Sequence, residues 1–363
     1  MTIFSLDTPT TLNLLQLAAG LVLLILGAEL MVRAAVRLAA RYKVRPLIIG
    51  LSVVALGSSA PQMAVSLQAA ISHAPDIAVG SVIGSNIFNV LVTLGLCALI
   101  IPLRVSRQLV RLDIPLMISA SALVFALALN QTIGRGEGVL LLLALLGYCV
   151  LLWRQSRHYG RPHPRTPAAP RQGPPRWLSG AAMAVAGLGL LIWGGHLILG
   201  AAVDLATHFG FSDRIIGLTI VAVSTSLPEL ATSLIAAVRG EREIAVGNVI
   251  GSNLFNLLGV LGLTAVIAPT PLSVSPNALD FDLPVMLGVA VLCLPLFYSG
   301  YRITRAEGLV LLGLFAAYGL HVITFTTGMP LAGRLEHLML FYVLPVLALF
   351  VLISTLLAWR RQH

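Results

Sequence analysis

Long apolar runs recur along the whole chain, separated by short polar segments. About 20 consecutive apolar residues are what an α-helix needs to cross the hydrocarbon core of a bilayer. The runs are continuous rather than alternating, which excludes the strands of a membrane β-barrel. The pattern therefore predicts an all-α polytopic membrane protein.

Eleven transmembrane spans are predicted, at about 11–33, 46–72, 77–101, 112–130, 137–155, 178–204, 214–238, 244–268, 282–300, 306–325 and 338–359. With the N-terminus placed outside, 20 of the 23 Lys and Arg residues fall on the cytoplasmic side, and only Arg135, Arg214 and Arg334 fall outside. Basic residues accumulate in cytoplasmic loops. We therefore expect a multi-pass protein of a bacterial inner (plasma) membrane, with its C-terminus in the cytoplasm.

The composition narrows the class of protein further. Of 363 residues, 58% are hydrophobic and only 10% are charged, which excludes an ordinary soluble enzyme. The net charge of +9 is explained by basic cytoplasmic loops, so no nucleic-acid partner is expected. The first ten residues contain no Lys or Arg, so a cleavable signal peptide is not expected.

An internal repeat organises the chain. At an offset of 167 residues, 50–95 aligns with 217–262 without a gap, and 25 of 46 positions are identical. The predicted units are a first five-helix repeat (1–155, most similar over about 46–101), a basic Pro-rich cytoplasmic linker (156–177), a second five-helix repeat (178–325, most similar over about 213–268) and an extra helix with the C-terminus (326–363).

Because each repeat has an odd number of spans, the second repeat enters the membrane from the opposite side. Such inverted-topology repeats are typical of secondary transporters, whose substrate site lies between the repeats near the bilayer midplane. The predicted fold class is therefore two inverted five-helix repeats plus an eleventh C-terminal transmembrane helix.

Each repeat contains a proline inside a span. Pro61 and Pro228 remove a backbone donor and disrupt the preceding turn, which frees carbonyl groups near Ala55 and Ala222. Non-helical backbone at membrane depth is tolerated where it lines a water-filled cavity. Both prolines are therefore predicted to break their helices beside a polar site.

Polar residues surround each proline at spacings that place them on one helix face. They are Ser58, Ser59, Gln62, Ser85 and Asn89 in the first repeat, and Thr225, Ser226, Glu229, Ser252 and Asn256 in the second. Hydroxyl, amide, carbonyl and carboxylate oxygens suit Na⁺, Ca²⁺ or Mg²⁺. The only acid predicted near the midplane is Glu229, and intramembrane carboxylates are functional candidates.

Other ionisable residues receive structural interpretations. Glu29 is expected to pair with Arg33 on the same helix, and His196 to be a buried, hydrogen-bonded histidine. Asp113 and Asp282 are expected to be acids at helix starts. Phosphate-binding, Ser–His–Asp and zinc signatures are absent from the sequence, so neither an enzyme nor a cofactor is expected.

The segments GSSAPQMAVSL…GSVIGSNIFN and VSTSLPELATSL…GNVIGSNLFN resemble the two α-repeats of the sodium/calcium exchanger family. The resemblance implies a ten-helix core that works by alternating access, with spans 1 and 6 sliding against the other helices. It also implies that the ten polar residues named above are ion ligands, joined by the backbone carbonyls of Ala55 and Ala222. Metal coordination is expected above all from Glu229, Asn89, Asn256, Gln62, Thr225 and Ser58.

Two positions depart from the family pattern. The family has Glu at the position of Gln62, and prokaryotic members have Asp at the position of Asn256. The leading interpretation is Na⁺/Ca²⁺ antiport. Monovalent cation/proton (Na⁺/H⁺) exchange at Glu229 and a transport-inactive membrane scaffold are the alternatives. The expected partners are the lipid bilayer and inorganic cations, with no obligatory protein partner.

Overall fold

The computed structural model describes residues 8–42, 44–72, 74–158, 176–208, 221–298, 300–326 and 332–343, which are almost entirely helical. The helices are α1 (Thr8–Tyr42), α2 (Pro46–Ser58), α3 (Ala60–Ile71), α4 (Pro75–Ile100), α5 (Leu109–Asn130), α6 (Arg135–His158), α7 (Arg176–His208), α8 (Ala222–Thr225), α9 (Leu227–Val238), α10 (Arg242–Ile267), α11 (Ala278–Tyr298), α12 (Arg305–Thr326) and α13 (Ala332–Leu338). Four short strands are β1 (Leu103–Arg104), β2 (Thr132–Ile133), β3 (Leu272–Ser273) and β4 (Arg302–Ile303).

Eight helices in the described part are long and apolar enough to span a membrane, or nine if α2 and α3 count as one bent span. Two of them, α4 and α10, lie at the centre, since 78% and 83% of the residues in their apolar 18-residue stretches are buried. In α6, α7 and α12 only 22% of the residues in the corresponding stretches are buried, so these helices expose apolar faces. Such exposed apolar surface fits contact with lipid, and the chain is a polytopic α-helical membrane protein.

The helix breaks predicted at the two prolines are present. The axes of α2 and α3 differ by 41° across Ser59, and Pro61 is the second residue of α3. In the second repeat, α8 ends at Thr225 and Pro228 is the second residue of α9. Proline has no N–H with which to continue the hydrogen-bond ladder of the preceding turn, which accounts for both breaks.

Two small strand pairs join the repeats. β1 pairs antiparallel with β4, and β2 pairs antiparallel with β3. Each pair takes one strand from the first half of the chain and one from the second. Since β1 precedes α5 and β2 follows it, the pairs lie at opposite ends of a helix about 33 Å long. β1 of the first repeat corresponds to β3 of the second, and β2 corresponds to β4. The two strand pairs are therefore equivalent but lie at opposite ends, as an inverted repeat requires.

The equivalent helices α1 and α7 cross backbone to backbone at glycines. A Cβ atom on Gly27 would lie 2.8 Å from the carbonyl oxygen of Gly187, and one on Gly194 would lie 2.8 Å from that of Gly20. The reverse approaches are as close, at 2.9 Å from a Cβ on Gly187 to the Gly27 carbonyl oxygen and 2.8 Å from a Cβ on Gly20 to that of Gly194. Small residues permit such close packing of membrane helices. The crossing is therefore reciprocal and has almost no side-chain layer.

Nine of the predicted spans coincide with described helices, namely 11–33, 46–72, 77–101, 112–130, 137–155, 178–204, 244–268, 282–300 and 306–325. The first was predicted too short, since α1 continues to Tyr42. Residues 1–7, 159–175 of the linker, 214–220 of the seventh span and 344–359 of the eleventh lie outside the described residues.

Replacing Gly187 by Ala should destabilise the protein by about 1–3 kcal/mol, because the added Cβ would sit 2.9 Å from the Gly27 carbonyl oxygen. Gly189→Ala, on the same helix, meets nothing within 4 Å and is the matched control. Thermal unfolding of the purified proteins in detergent measures both changes. Equal melting temperatures for the two variants would contradict the close crossing.

Candidate functional site

The two broken spans and the two central helices meet in the protein interior. The α2–α3 break packs with α4 and α10, and α9 packs with α10 and the second half of α4. The ten side chains predicted as ligands are all at most 3% exposed, and they are Ser58, Ser59, Gln62, Ser85, Asn89, Thr225, Ser226, Glu229, Ser252 and Asn256. Ala55 is fully buried at the start of the last turn of α2, and Ala222 is the first residue of α8. The structure thus brings polar residues of both repeats to one buried region.

Ser58 makes a direct contact between the repeats. Its Oγ lies 3.1 Å from Asn248 Oδ1 and 3.2 Å from Ser252 Oγ, both on α10. It also lies 3.3 Å from the carbonyl oxygen of Ala55, which accepts the Ser59 N–H at 3.0 Å. The carbonyl group expected to be free at Ala55 is therefore already an acceptor of a backbone hydrogen bond.

Gln62 is enclosed by serine hydroxyls of its own repeat. Its Nε2 donates to Ser81 Oγ at 2.9 Å and to Ser66 Oγ at 3.3 Å, and its Oε1 accepts from Ser85 Oγ at 2.9 Å. A serine hydroxyl can rotate to donate or to accept. These surroundings can therefore satisfy an amide or a carboxylate at this position.

Glu229 stands at the third position of α9, where the second repeat has an acid in place of Gln62. Its side chain is 1% exposed, and its Oε2 has no hydrogen-bond partner. The Ser59 hydroxyl of the first repeat lies near the carboxyl group but makes no hydrogen bond of acceptable geometry. Asn248 supports the backbone here, since its Nδ2 donates to the Glu229 carbonyl oxygen at 3.3 Å. A buried carboxylate with an open oxygen is costly unless a cation or a proton compensates it.

Four asparagines connect α4 to α10. Asn89 Nδ2 donates to Asn253 Oδ1 at 3.2 Å, and Asn256 Nδ2 donates to Asn86 Oδ1 at 3.3 Å. Asn86 and Asn253 also donate to each other's backbone carbonyl oxygens, at 3.5 and 3.4 Å. At the repeat offset Asn86 corresponds to Asn253 and Asn89 to Asn256, so each bond has an equivalent in which the repeats are exchanged. The network therefore has the symmetry of the repeats.

Asn89 and Asn256, both predicted as ligands, stand in π-helical turns. One turn runs from Asn89 to Leu94 in α4, and the other from Phe255 to Val260 in α10. A π-helical turn adds a residue to the helical repeat, shifts the following side chains and is frequent at functional sites. The duplicated turns therefore place Asn89 and Asn256 at equivalent irregularities of the two central helices.

Besides the Thr93 and Thr264 hydroxyls on the central helices, four buried oxygens of this region have no hydrogen-bond partner, and they are Ser59 Oγ, Asn89 Oδ1, Glu229 Oε2 and Asn256 Oδ1. All four belong to residues predicted as ligands, two from each repeat. No cluster of three or more His, Cys, Asp and Glu side chains able to hold a metal occurs among the described residues. The donor set is therefore made mainly of neutral oxygens with one carboxylate, which suits hard cations better than zinc or copper.

The structure adds residues that sequence reasoning missed. Asn86, Asn253, Asn248, Ser66 and Ser81 are buried and bond directly to predicted ligands or to their backbone. A signal for three of them was present, because Asn86 and Asn253 are identical at the repeat offset, as Ser66 and Ser233 are. Spacing could show that they share a helix with the ligand asparagines but not that they bond across to the other repeat.

The structure tests the interpretations of Glu29 and His196. Glu29 pairs with Arg33 at 2.6 Å, as predicted, and it also accepts from Arg239 Nε at 2.6 Å, which joins α1 to the end of α9. The expectation for His196 was wrong, since its side chain is exposed on α7.

The two predicted helix-start acids each end a π-helical first turn. Asp282 accepts from Tyr318 OH at 3.0 Å and from Asn277 Nδ2 at 3.3 Å. Its counterpart Asp113 is fully buried, and neither of its carboxylate oxygens has a hydrogen-bond partner in the described structure. Neither residue caps a helix through its side chain.

Known proteins match this chain along most of its length. The sequence profile described as "Sodium/calcium exchanger protein" matches residues 12–154 and 179–324. A "Putative antiporter CaxA" from Alkalimonas amylolytica is 39% identical over 303 residues, which covers 82% of this chain and 95% of that protein. The "Sodium/calcium exchanger MaX1" of Methanosarcina acetivorans is 32% identical over 343 residues, covering 85% and 97%.

The fold also has a solved counterpart. A structure of the sodium-calcium exchanger NCX_Mj soaked with 2.5 mM Na⁺ and 10 mM Sr²⁺ superimposes with a TM-score of 0.72 at 28% sequence identity. The match covers 87% of this chain and 99% of that one. With the repeated motifs, the helical architecture and the profile match over both halves in agreement, the chain belongs to the sodium/calcium exchanger family and is an exchanger-like cation antiporter rather than an enzyme.

Proposed function

We propose that the protein exchanges Na⁺ for Ca²⁺ by alternating access, at a site between the two broken spans and the central helices. The carrying observation is the set of four buried oxygens that have no hydrogen-bond partner. Leaving a buried acceptor unpaired costs about 1–3 kcal/mol. A cation bound among these oxygens would compensate that cost in both repeats at once.

The charge of the site limits how strongly it holds a divalent cation. Ca²⁺ beside Glu229 alone retains a net positive charge, because Gln62 and Asn256 are neutral. Losing one partner of a buried charge pair costs about 3–5 kcal/mol, which corresponds to a loss of about 100-fold or more in affinity. We therefore expect weaker Ca²⁺ binding than in a site with two or three carboxylates.

For alternating access, the moving elements that we propose are α1 and α7. They approach each other backbone to backbone at glycines, as the contacts between Gly27 and Gly187 illustrate, so the two helices can move as one unit. The strand pairs lie outside these two helices and tie the remaining helices of both repeats together. This division favours sliding of the α1–α7 pair against a fixed bundle.

The proposed orientation follows from the distribution of basic residues. With 20 of 23 Lys and Arg residues on one side, that side is cytoplasmic and the N-terminus is outside. The ion pairs of Glu29 with Arg33 and Arg239 then lie in the cytoplasmic half of α1. The proposed location is a bacterial inner membrane, and the proposed partners are the lipid bilayer and the transported cations.

Exchange of Na⁺ for protons is the second candidate function. The observation that favours it is that Glu229 is the single carboxylate among the predicted ligands, since a monovalent cation or a proton on Glu229 leaves the site neutral. It predicts that a Na⁺ gradient drives a pH change in sealed vesicles and that millimolar Ca²⁺ does not compete. A scaffold without transport, the remaining alternative, predicts no cation flux of either kind.

Glu229→Gln should abolish Na⁺-dependent Ca²⁺ uptake, because it removes the only charge among the proposed ligands. Uptake of radioactive calcium into Na⁺-loaded proteoliposomes, with and without the Na⁺ gradient, measures this. Asp204→Asn removes an exposed carboxylate on α7 and should leave uptake unchanged.

The outcomes of that experiment separate the candidate functions. Gradient-driven uptake that survives Glu229→Gln would contradict the proposed site. If the wild-type protein took up no Ca²⁺ but acidified or alkalinised the vesicles with Na⁺, proton exchange would replace calcium exchange. If neither flux occurred in verified vesicles, the protein would be a scaffold.

Gln62→Glu should raise the apparent Ca²⁺ affinity by at least about tenfold, because it adds a second carboxylate. The hydroxyls of Ser66, Ser81 and Ser85 surround this side chain and can rotate to donate to the new oxygen. The half-saturating Ca²⁺ concentration for uptake is the measurement. An unchanged or higher value would place position 62 outside the ion site.

A further inference from the structure

We propose that Asn86 and Asn253 form a reciprocal amide pair whose role is positioning. Each fixes the orientation of one ligand amide, so that its oxygen faces the transported cation. The inference rests on the proposed function, because it takes Asn89 and Asn256 as cation ligands. Neither residue of the pair is itself placed against the cation.

An asparagine amide has two ends of almost equal shape and opposite hydrogen-bonding character. The oxygen accepts, and the nitrogen carries two donors. Only the oxygen can ligate a cation, and an amide turned by 180° would present N–H groups to it instead. A ligand asparagine therefore needs a neighbour that distinguishes its two ends.

Asn86 makes this distinction for Asn256. Its own orientation is fixed by the backbone, since Asn86 Nδ2 donates to the carbonyl oxygen of Asn253 at 3.5 Å and a carbonyl oxygen can only accept. Its Oδ1 must then face the other way, where it accepts from Asn256 Nδ2 at 3.3 Å. With its nitrogen held, Asn256 leaves Oδ1 without a partner.

Asn253 does the same for Asn89 through the equivalent contacts. Its Nδ2 donates to the carbonyl oxygen of Asn86 at 3.4 Å, and its Oδ1 accepts from Asn89 Nδ2 at 3.2 Å. Asn89 Oδ1 is then left open, as Asn256 Oδ1 is. Neither orientation can be reversed alone, because a reversed positioning amide would direct its oxygen at a backbone carbonyl oxygen.

Two methionines complete the surroundings of the pair. Asn253 Nδ2 lies 3.5 Å from Met117 Sδ, and Asn86 Nδ2 lies 3.8 Å from Met286 Sδ. Thioether sulfur is a weak acceptor and has no donor. Each positioning nitrogen therefore meets only acceptors, which reinforces the same orientation.

The pair also gives a reason for an amide at position 256. Asn86 Oδ1 accepts a hydrogen bond from the Asn256 amide, and a carboxylate at position 256 would place an oxygen without a proton next to it. The positioning amide could not turn to donate without losing its bond to the Asn253 carbonyl oxygen. The rotatable hydroxyls around Gln62 impose no such restriction.

A double-mutant cycle tests the proposal. Asn253→Leu removes the acceptor that orients Asn89, and the half-saturating Na⁺ concentration should rise about tenfold, as expected for one lost interaction of about 1.4 kcal/mol. Added to Asn89→Leu, the same substitution should have no further effect, because it acts only through that ligand. Added to Asn256→Leu, it should contribute its full effect. Na⁺-dependent thermal stabilisation in detergent is the readout, since a ligand raises the melting temperature only of a folded protein that binds it.

Controls separate positioning from general stability. Ser121→Ala changes a buried serine of α5 whose hydroxyl donates to the Met117 carbonyl oxygen of its own helix, and it should lower no cation affinity. If Asn253→Leu does not fold, Asn253→Ser repeats the cycle, because its short side chain stays polar but cannot reach the Asn89 amide.

The positioning role would be overturned if Asn253→Leu left the cation affinity unchanged. It would also be overturned if Asn253→Leu lowered the affinity equally when added to Asn89→Leu and to Asn256→Leu. Absence of any Na⁺-dependent stabilisation in the wild-type protein would instead overturn the proposed function.

Discussion

The structure depends on how polar groups are satisfied in the middle of a membrane protein. A buried polar group without a partner is costly, and lipid supplies no partner. Here amides and hydroxyls from the two repeats bond to one another across the interface, as Ser58 does with Asn248 and Asn89 with Asn253. Once these bonds are made, oxygens of four predicted ligands remain open, among them Asn89 Oδ1 and Asn256 Oδ1 of this network. The same hydrogen-bond network therefore holds the repeats together and leaves oxygens that are available to bind a cation.

The same network makes the two repeats chemically unequal despite their symmetry. The asparagine bonds are duplicated, whereas Gln62 on one side corresponds to Glu229 on the other. Gln62 is satisfied by three serines of its own repeat. Glu229 keeps an open oxygen. Charge is thus concentrated in the second repeat, and the first contributes mainly neutral ligands and structural bonds.

Much of the fold could be predicted because its determinants are local or repeated. Apolar run length predicts spans, Pro61 and Pro228 predict the helix breaks, and identity at a fixed offset predicts the inverted repeat. The burial of all ten predicted ligand side chains followed from the same pattern. The pairing of Asn86 with Asn253 could not be predicted, because helical spacing identifies a shared face but not the neighbour it meets. His196 failed for a related reason, since its apolar flanks do not show which side of α7 faces lipid.

The two strand pairs have a consequence for biosynthesis. Leu103 and Ile133 are made well before their partners Ile303 and Leu272 emerge. A newly inserted first repeat therefore exposes two unpaired edges and a half-set of polar groups until the second repeat arrives. Unpaired edges and exposed polar or apolar surface are features of intermediates that associate wrongly. The contacts at both ends of α5 can therefore close only after much of the second repeat has been synthesised.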